Sequence, residues 1–280
     1  MSTAEFAAIR SVGFEPAGQA FGAAVFSFKN AGTLGCPTYR KGTERDSPWY
    51  QNRRPAVHTS GSSSKSSANS FRPLVRAMYL ARQTAIDRLV AECVAFGGHG
   101  VVGVRFDVEP FPAGGLEFKA LGTAIKAPGG GPPLRRPFTC ELSGQEFAKL
   151  MLSGWAPVAI AVGISIGVRH VDDRTRNQSA RSVWWNTEVK GHTDLANQTR
   201  RDAAEQLRLD VRKHHGSGVV TREMELRFEE FECQGVEHCK DQMAEATIVG
   251  TAITKFGRDQ GPSARAASLM VMSLGDREQS

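Results

Sequence analysis

Residues 81–107, ARQTAIDRLVAECVAFGGHGVVGVRFD, decide how the rest of the chain is read. Ala85, Ile86, Leu89, Cys93 and Phe96 recur at the three- and four-residue spacing of one buried helical face. Gly97, Gly98 and Gly100 then stop the helix, because glycine accepts the left-handed turn that closes a helix end. The strand that follows alternates Val104, Phe106 and Val108 with Arg105, Asp107 and Glu109. The same order returns at residues 200–226, RRDAAEQLRLDVRKHHGSGVVTREMEL, where GSGVV answers GHGVV. A repeated helix–turn–strand unit sets the architecture before any single motif does.

Two more blocks recur in the same order. Glu5-Phe6-Ala7, Gly13-Phe14 and Pro16 return as Glu146-Phe147-Ala148, Gly154-Trp155 and Pro157, and Gly122-Thr123-Ala124-Ile125 returns as Gly250-Thr251-Ala252-Ile253. The pattern predicts two homologous domains at 1–126 and 139–256, each of about 120–140 residues. A Gly/Pro-rich linker at 127–138 joins them, and a tail at 257–280 follows, whose apolar SLMVMSL (268–274) is expected to dock in extended form. Each domain reads as a short helix, an extended segment, a long helix and two strands. The long helices are expected from Pro73 to Phe96 and from an N-cap at Asp194. Gly22 and Gly163 interrupt the extended segments, leaving a kinked strand or two short ones, since glycine inside a strand marks a bend or bulge. The stretch 30–70 reads as irregular, and its Ser-rich end at 59–70 as a flexible loop.

Of 280 residues, 40% are hydrophobic and 23% charged, ordinary values for a soluble protein. MSTAEFAAIR lacks the basic start and apolar core of a signal peptide. The apolar run 156–168 falls short of the roughly 18 residues that span a bilayer. Five cysteines, scattered at 36, 93, 140, 233 and 239, form no disulfide framework. These features predict a cytoplasmic chain with no membrane partner. The net charge of +6 raises a nucleic-acid partner, but the basic residues are dispersed and not interleaved with stacking aromatics, which argues against one.

One cluster offers ligand chemistry. CQGVEHC at 233–239 places Cys233, His238 and Cys239 together as three donors for a zinc-like soft metal. Its spacing departs from the usual zinc-ligand intervals, so an irregular hairpin loop with unligated thiols is the competing reading. His99, facing Ser217 in the other copy, reads as a turn residue. No nucleophile elbow or paired-histidine helix is present, and no catalytic residue or enzymatic activity is expected. Trp184 and Trp185 suit an apolar groove of this or a neighbouring subunit, with ligand stacking as the alternative. Arg105 and Glu109 match Glu223 and Arg227 of the other copy in sequence, with signs inverted, which suggests charge-complementary interface faces; a solvated strand face is the alternative. Residues 101–104 and 158–168 are apolar on both strand faces. One helix covers one face, so the sister domain or another subunit must cover the other.

With this helix, glycine turn, GVVGVRFD and closing GTAI, the chain resembles the YbjQ-like family of small bacterial proteins, which carries a heavy-metal-binding label. Both copies resemble it, the second departing where Thr221-Arg222-Glu223 replaces Gly103-Val104-Arg105. The resemblance implies an α+β fold, an antiparallel sheet with one main helix packed on it, assembled into a ring-shaped homo-oligomer, typically a pentamer. The expected function is a non-enzymatic scaffold or binding protein with itself as partner. A metal-binding protein using 233–239 and a small-molecule binder at subunit interfaces are the alternatives.

Overall fold

The computed structural model describes residues 1–27, 56–61, 71–112, 115–129, 131, 136–181, 188–233, 240–256 and 271–273. Helix α1 (Thr3–Ser11) begins at a reciprocal cap: the Ser2 hydroxyl accepts from the Glu5 N–H and the Glu5 carboxylate accepts from the Ser2 N–H. Strand β1 (Glu15–Phe26), the short β2 (His58–Thr59) and helix α2 (Arg72–Ala95) follow, then β3 (Gly100–Pro110) and β4 (Leu116–Lys126). β1, β4 and β3 pair antiparallel, and β5 (Phe138–Thr139) adds to β3 in parallel, giving the order β1-β4-β3-β5. The segment read as a linker therefore ends by joining the first sheet.

Helix α3 (Gly144–Leu152) opens on the same reciprocal cap, made by Ser143 and Glu146. It leads into β6 (Trp155–His170), helices α4 (Asp173–Arg181) and α5 (Lys190–Lys213), then β7 (Gly218–Glu232) and β8 (Lys240–Lys255). The second sheet runs β2-β6-β8-β7-β9, where β9 (Val271–Ser273) comes from the apolar tail and pairs with the start of β7. β2 crosses over from the first half to pair His58 with Val168.

Corresponding positions do the same work in both halves. The Gly98 N–H closes α2 on the Cys93 carbonyl, and the Gly216 N–H closes α5 on the Val211 carbonyl. The Glu92 carboxylate accepts from the edge amide of Phe21 at 2.6 Å, and the Asp210 carboxylate from that of Val162 at 3.0 Å. Gly22 and Gly163 do not kink their strands; the register shifts lie at Pro16/Gly18 and Pro157/Ala159. The two glycines instead let a helix backbone approach. A Cβ on Gly22 would run into the Ala85 carbonyl and Leu89 N, and one on Gly163 into the Ala203 carbonyl and Leu207 N. The second long helix also starts earlier than its Asp194 signal: the His192 and Thr193 amides already bond to the Val189 carbonyl.

β6 is buried on both faces from Ile160 onward. Ala161 packs with Ala203, Leu207 and Val211 of α5. Ile160, Val162 and Ile164, with Val249 of β8, join the cluster built by Met78, Ala81, Ala85, Leu89 and Cys93 of α2 and the inner face of the first sheet. Further along, Phe71 and the start of α2 pack on Ile166, Val168 and Met243. Thus α2 covers the face that α5 leaves open. The exposed edge of β6 is closed by side chains. The Ile160 amide donates to Thr139 Oγ1 at 3.0 Å, Ile164 to the Tyr79 hydroxyl at 2.8 Å and Ile166 to Ser60 Oγ at 3.1 Å. Each of these amides would otherwise be a buried donor without an acceptor. A separate core of Ile9, Val102, Ile125, Phe147, Leu150, Val220 and Ile253 joins the halves, with Phe138 stacked on Phe147.

Candidate functional site

Three strands of the second sheet end together, and their last side chains converge. His170 closes β6, Asp241 lies directly opposite it near the start of β8, and Cys233 follows the end of β7. His170 Nδ1 lies 2.7 Å from Asp241 Oδ1, and one ligand atom from each of the three residues falls within 4.8 Å of the others. All three are buried: His170 is 5% exposed, Cys233 7% and Asp241 0%. Opposed residues on antiparallel strands share a face. Asp241 also opposes Phe231, two residues before Cys233, so the alternation brings all three to one side. That side carries the apolar cluster of Phe71, Ile166, Val168 and Met243. Neighbouring Arg169 donates to Thr175 Oγ1 at 2.9 Å and pairs with Asp172 at 3.6 Å, which ties the end of β6 to α4. Among the described residues this is the group of His, Cys and acidic side chains close enough together that it could hold a metal ion.

Of the ligands expected from CQGVEHC, Cys233 belongs to this cluster; His238 and Cys239 lie outside the described residues, as do Trp184 and Trp185. His170 and Asp241 were not legible as ligands, because only the pairing of β6 with β8 brings them to Cys233. Two of the four charged interface candidates make local ion pairs. Glu109 accepts from Lys119 at 2.7 Å within the first sheet, and Arg227 pairs with Glu225 at 2.6 Å within β7. No ion pair joins Arg105 or Glu109 to Glu223 or Arg227 among the described residues. Glu223 instead repels Glu141; burial first and that repulsion second push Glu141 up to about 7, against the attraction of Arg222. His99 is the turn residue it reads as, its Nδ1 accepting from the Ala127 N–H at 3.2 Å.

The two sheets differ in how their outer faces are covered. Phe21 pairs with Leu121 in the first sheet as Val162 pairs with Val249 in the second. Val162 and Val249 lie under α2, whereas Phe21, Val25 and Leu121 are 42%, 47% and 38% exposed. A cleft of about 270 Å³ lies between α2, β6 and the end of α5, lined by Asp87, Arg136, Lys213, His214 and His215. It is smaller than the roughly 300–1,000 Å³ of pockets that enclose a small molecule. Burial lowers His214 in this cleft, against the pull of Asp210 3.8 Å away.

A family model described as "Putative heavy-metal-binding", that of the YbjQ family, matches residues 67–128. This segment is YbjQ-like. It comprises α2, the glycine turn, β3 and β4, so the His170–Cys233–Asp241 cluster lies outside it. Inside the matched segment, burial pushes the Cys93 thiol up to about 11, and it donates to the Gly100 carbonyl at 3.4 Å as a core side chain would. The chain is 35% identical over 153 residues to an encapsulin nanocompartment protein of Mycobacterium tuberculosis. That alignment covers 52% of this chain and 58% of the relative, so the chain spans little more than half of the curated relative it matches. No solved structure matches. No helix among the described residues is long and apolar enough to cross a membrane.

Proposed function

We propose that this protein is a non-enzymatic, self-assembling scaffold in which the open face of the first sheet receives helix α5 of another copy. The uncovered row of Phe21, Val25 and Leu121 carries this reading, because the matching row of the second sheet seats a helix within the same chain. Charge supports the same docking. Arg82 on α2 is attracted by Glu245 of the second sheet. The corresponding residues are Arg200, exposed on α5, and Glu117 on the open face. A helix-to-sheet contact of this kind is heterologous, and it must close into a ring or run on as a filament. The YbjQ resemblance points to closure, with five copies as the expected number and two YbjQ-like domains per copy. The relative named for an encapsulin nanocompartment fits a protein that works within a larger assembly.

Native mass spectrometry and light scattering on the full chain test this. A closed assembly is expected for the wild type, and Phe21→Glu with Leu121→Glu should yield a folded monomer with an unchanged circular dichroism spectrum. A monomeric wild type at micromolar concentration, or an assembly untouched by both substitutions, overturns the reading.

A further inference from the structure

We infer that His170, Cys233 and Asp241 form a binding site for one borderline-soft divalent cation of the zinc, cobalt or cadmium type. The donor set is an imidazole nitrogen, a sulfur and a carboxylate oxygen, a mixture such cations accept and hard cations such as magnesium do not. Paired strands hold two of the donors, His170 and Asp241, directly opposite each other, and Cys233 follows the last residue of β7 at the same end of the sheet.

Spacing agrees with this chemistry. Metal–ligand bonds of about 2.0–2.3 Å set tetrahedral ligand atoms roughly 3.3–3.8 Å apart. The three ligand atoms all lie within 4.8 Å of one another, and His170 Nδ1 and Asp241 Oδ1, now hydrogen-bonded at 2.7 Å, would move apart to admit the ion. Charge agrees as well. A thiolate and a carboxylate together carry two negative charges and imidazole binds neutral, so a dication leaves the buried cluster uncharged. As the sulfur–metal bond forms, the Cys233 thiol releases its proton to the buffer, and uptake is therefore favoured by rising pH. Among the described residues three ligands are present, the number that exchangeable sites use, whereas closed structural sites use four. The apolar side chains on the same face, Phe71, Val168 and Met243, shield it from bulk water and strengthen the attraction.

The test loads chelator-treated full-length protein with cobalt(II). One cobalt per chain is expected by native mass spectrometry, with a thiolate-to-cobalt charge-transfer band in the near ultraviolet. Cys233→Ser should abolish the band while the fold is kept, and His170→Gln and Asp241→Asn should each weaken cobalt affinity at least tenfold. Absence of bound cobalt in the wild type overturns the inference. So does a charge-transfer band that survives Cys233→Ser, which would assign the metal to another thiol. If Cys233→Ser fails to fold, Asp241→Asn decides: an unchanged cobalt affinity overturns the site.

Discussion

Replacing Tyr79 by Phe removes one oxygen and leaves the ring, which isolates the bond that fastens α2 to β6. The Tyr79 hydroxyl accepts from the Ile164 amide at 2.8 Å and donates to the Val162 carbonyl at 3.4 Å. Burial pushes Tyr79 up to about 12, so the hydroxyl keeps its proton at any ordinary pH. Ile164 is fully buried, and the loss of its acceptor leaves an amide with neither protein nor solvent to bond. An orphaned buried donor costs about 1–3 kcal/mol. At roughly 2–4 °C per kcal/mol for a chain of this size, the melting temperature should fall by about 2–12 °C. Urea unfolding is the cleaner measure: the midpoint should drop with an unchanged slope, since the surface exposed on unfolding stays the same. Hydrogen exchange at the Ile164 amide should accelerate alongside. A stability loss below about 0.5 kcal/mol, together with unchanged protection at Ile164, would refute the account of how that edge is satisfied.

Gly163→Ala places a methyl against the Ala203 carbonyl and Leu207 amide, so α5 must lift from β6; a loss of about 1–3 kcal/mol or more is expected in urea unfolding. Glu141 is pushed up to about 7 from its ordinary 4.5, so between those values the folded chain holds a proton that the unfolded chain has released. Its contribution is full below about pH 4.5 and is lost as pH rises through 7, on the order of 3 kcal/mol; Glu141→Gln should flatten that slope in urea midpoints taken across the range. Burial pushes Cys93 up to about 11 and Cys140 up to about 12, so neither should react with a thiol reagent near neutral pH until denaturant opens the fold. Mass mapping of labelled peptides reads this directly.

Local patterns carried much of the architecture. The stripe through Leu89 and Cys93, the glycine turns and the alternating strands depend on near neighbours, and α2, β3 and β4 follow them closely. The apolar run in 158–168 correctly announced a strand buried on both faces, yet nothing local could say that α2 provides the second cover. Gly22 and Gly163 show why composition misleads, because an absent side chain signals a bend or a close approach with the same letter. Only the helix backbone above them separates the two meanings. The site was legible in part for the same reason. Cys233 stands out beside His238 and Cys239 in the sequence, whereas His170 and Asp241 reach it through strand register, which a linear reading does not contain.

The strand shielded on both sides imposes an order on biosynthesis. A ribosome finishes α2 before it begins β6, so one of its two covers is already made when the segment emerges, and α5 follows. Transposing the two halves of the gene would put both covers after β6, so that the sticky segment would emerge with neither made, even though every contact of the finished molecule could still be drawn.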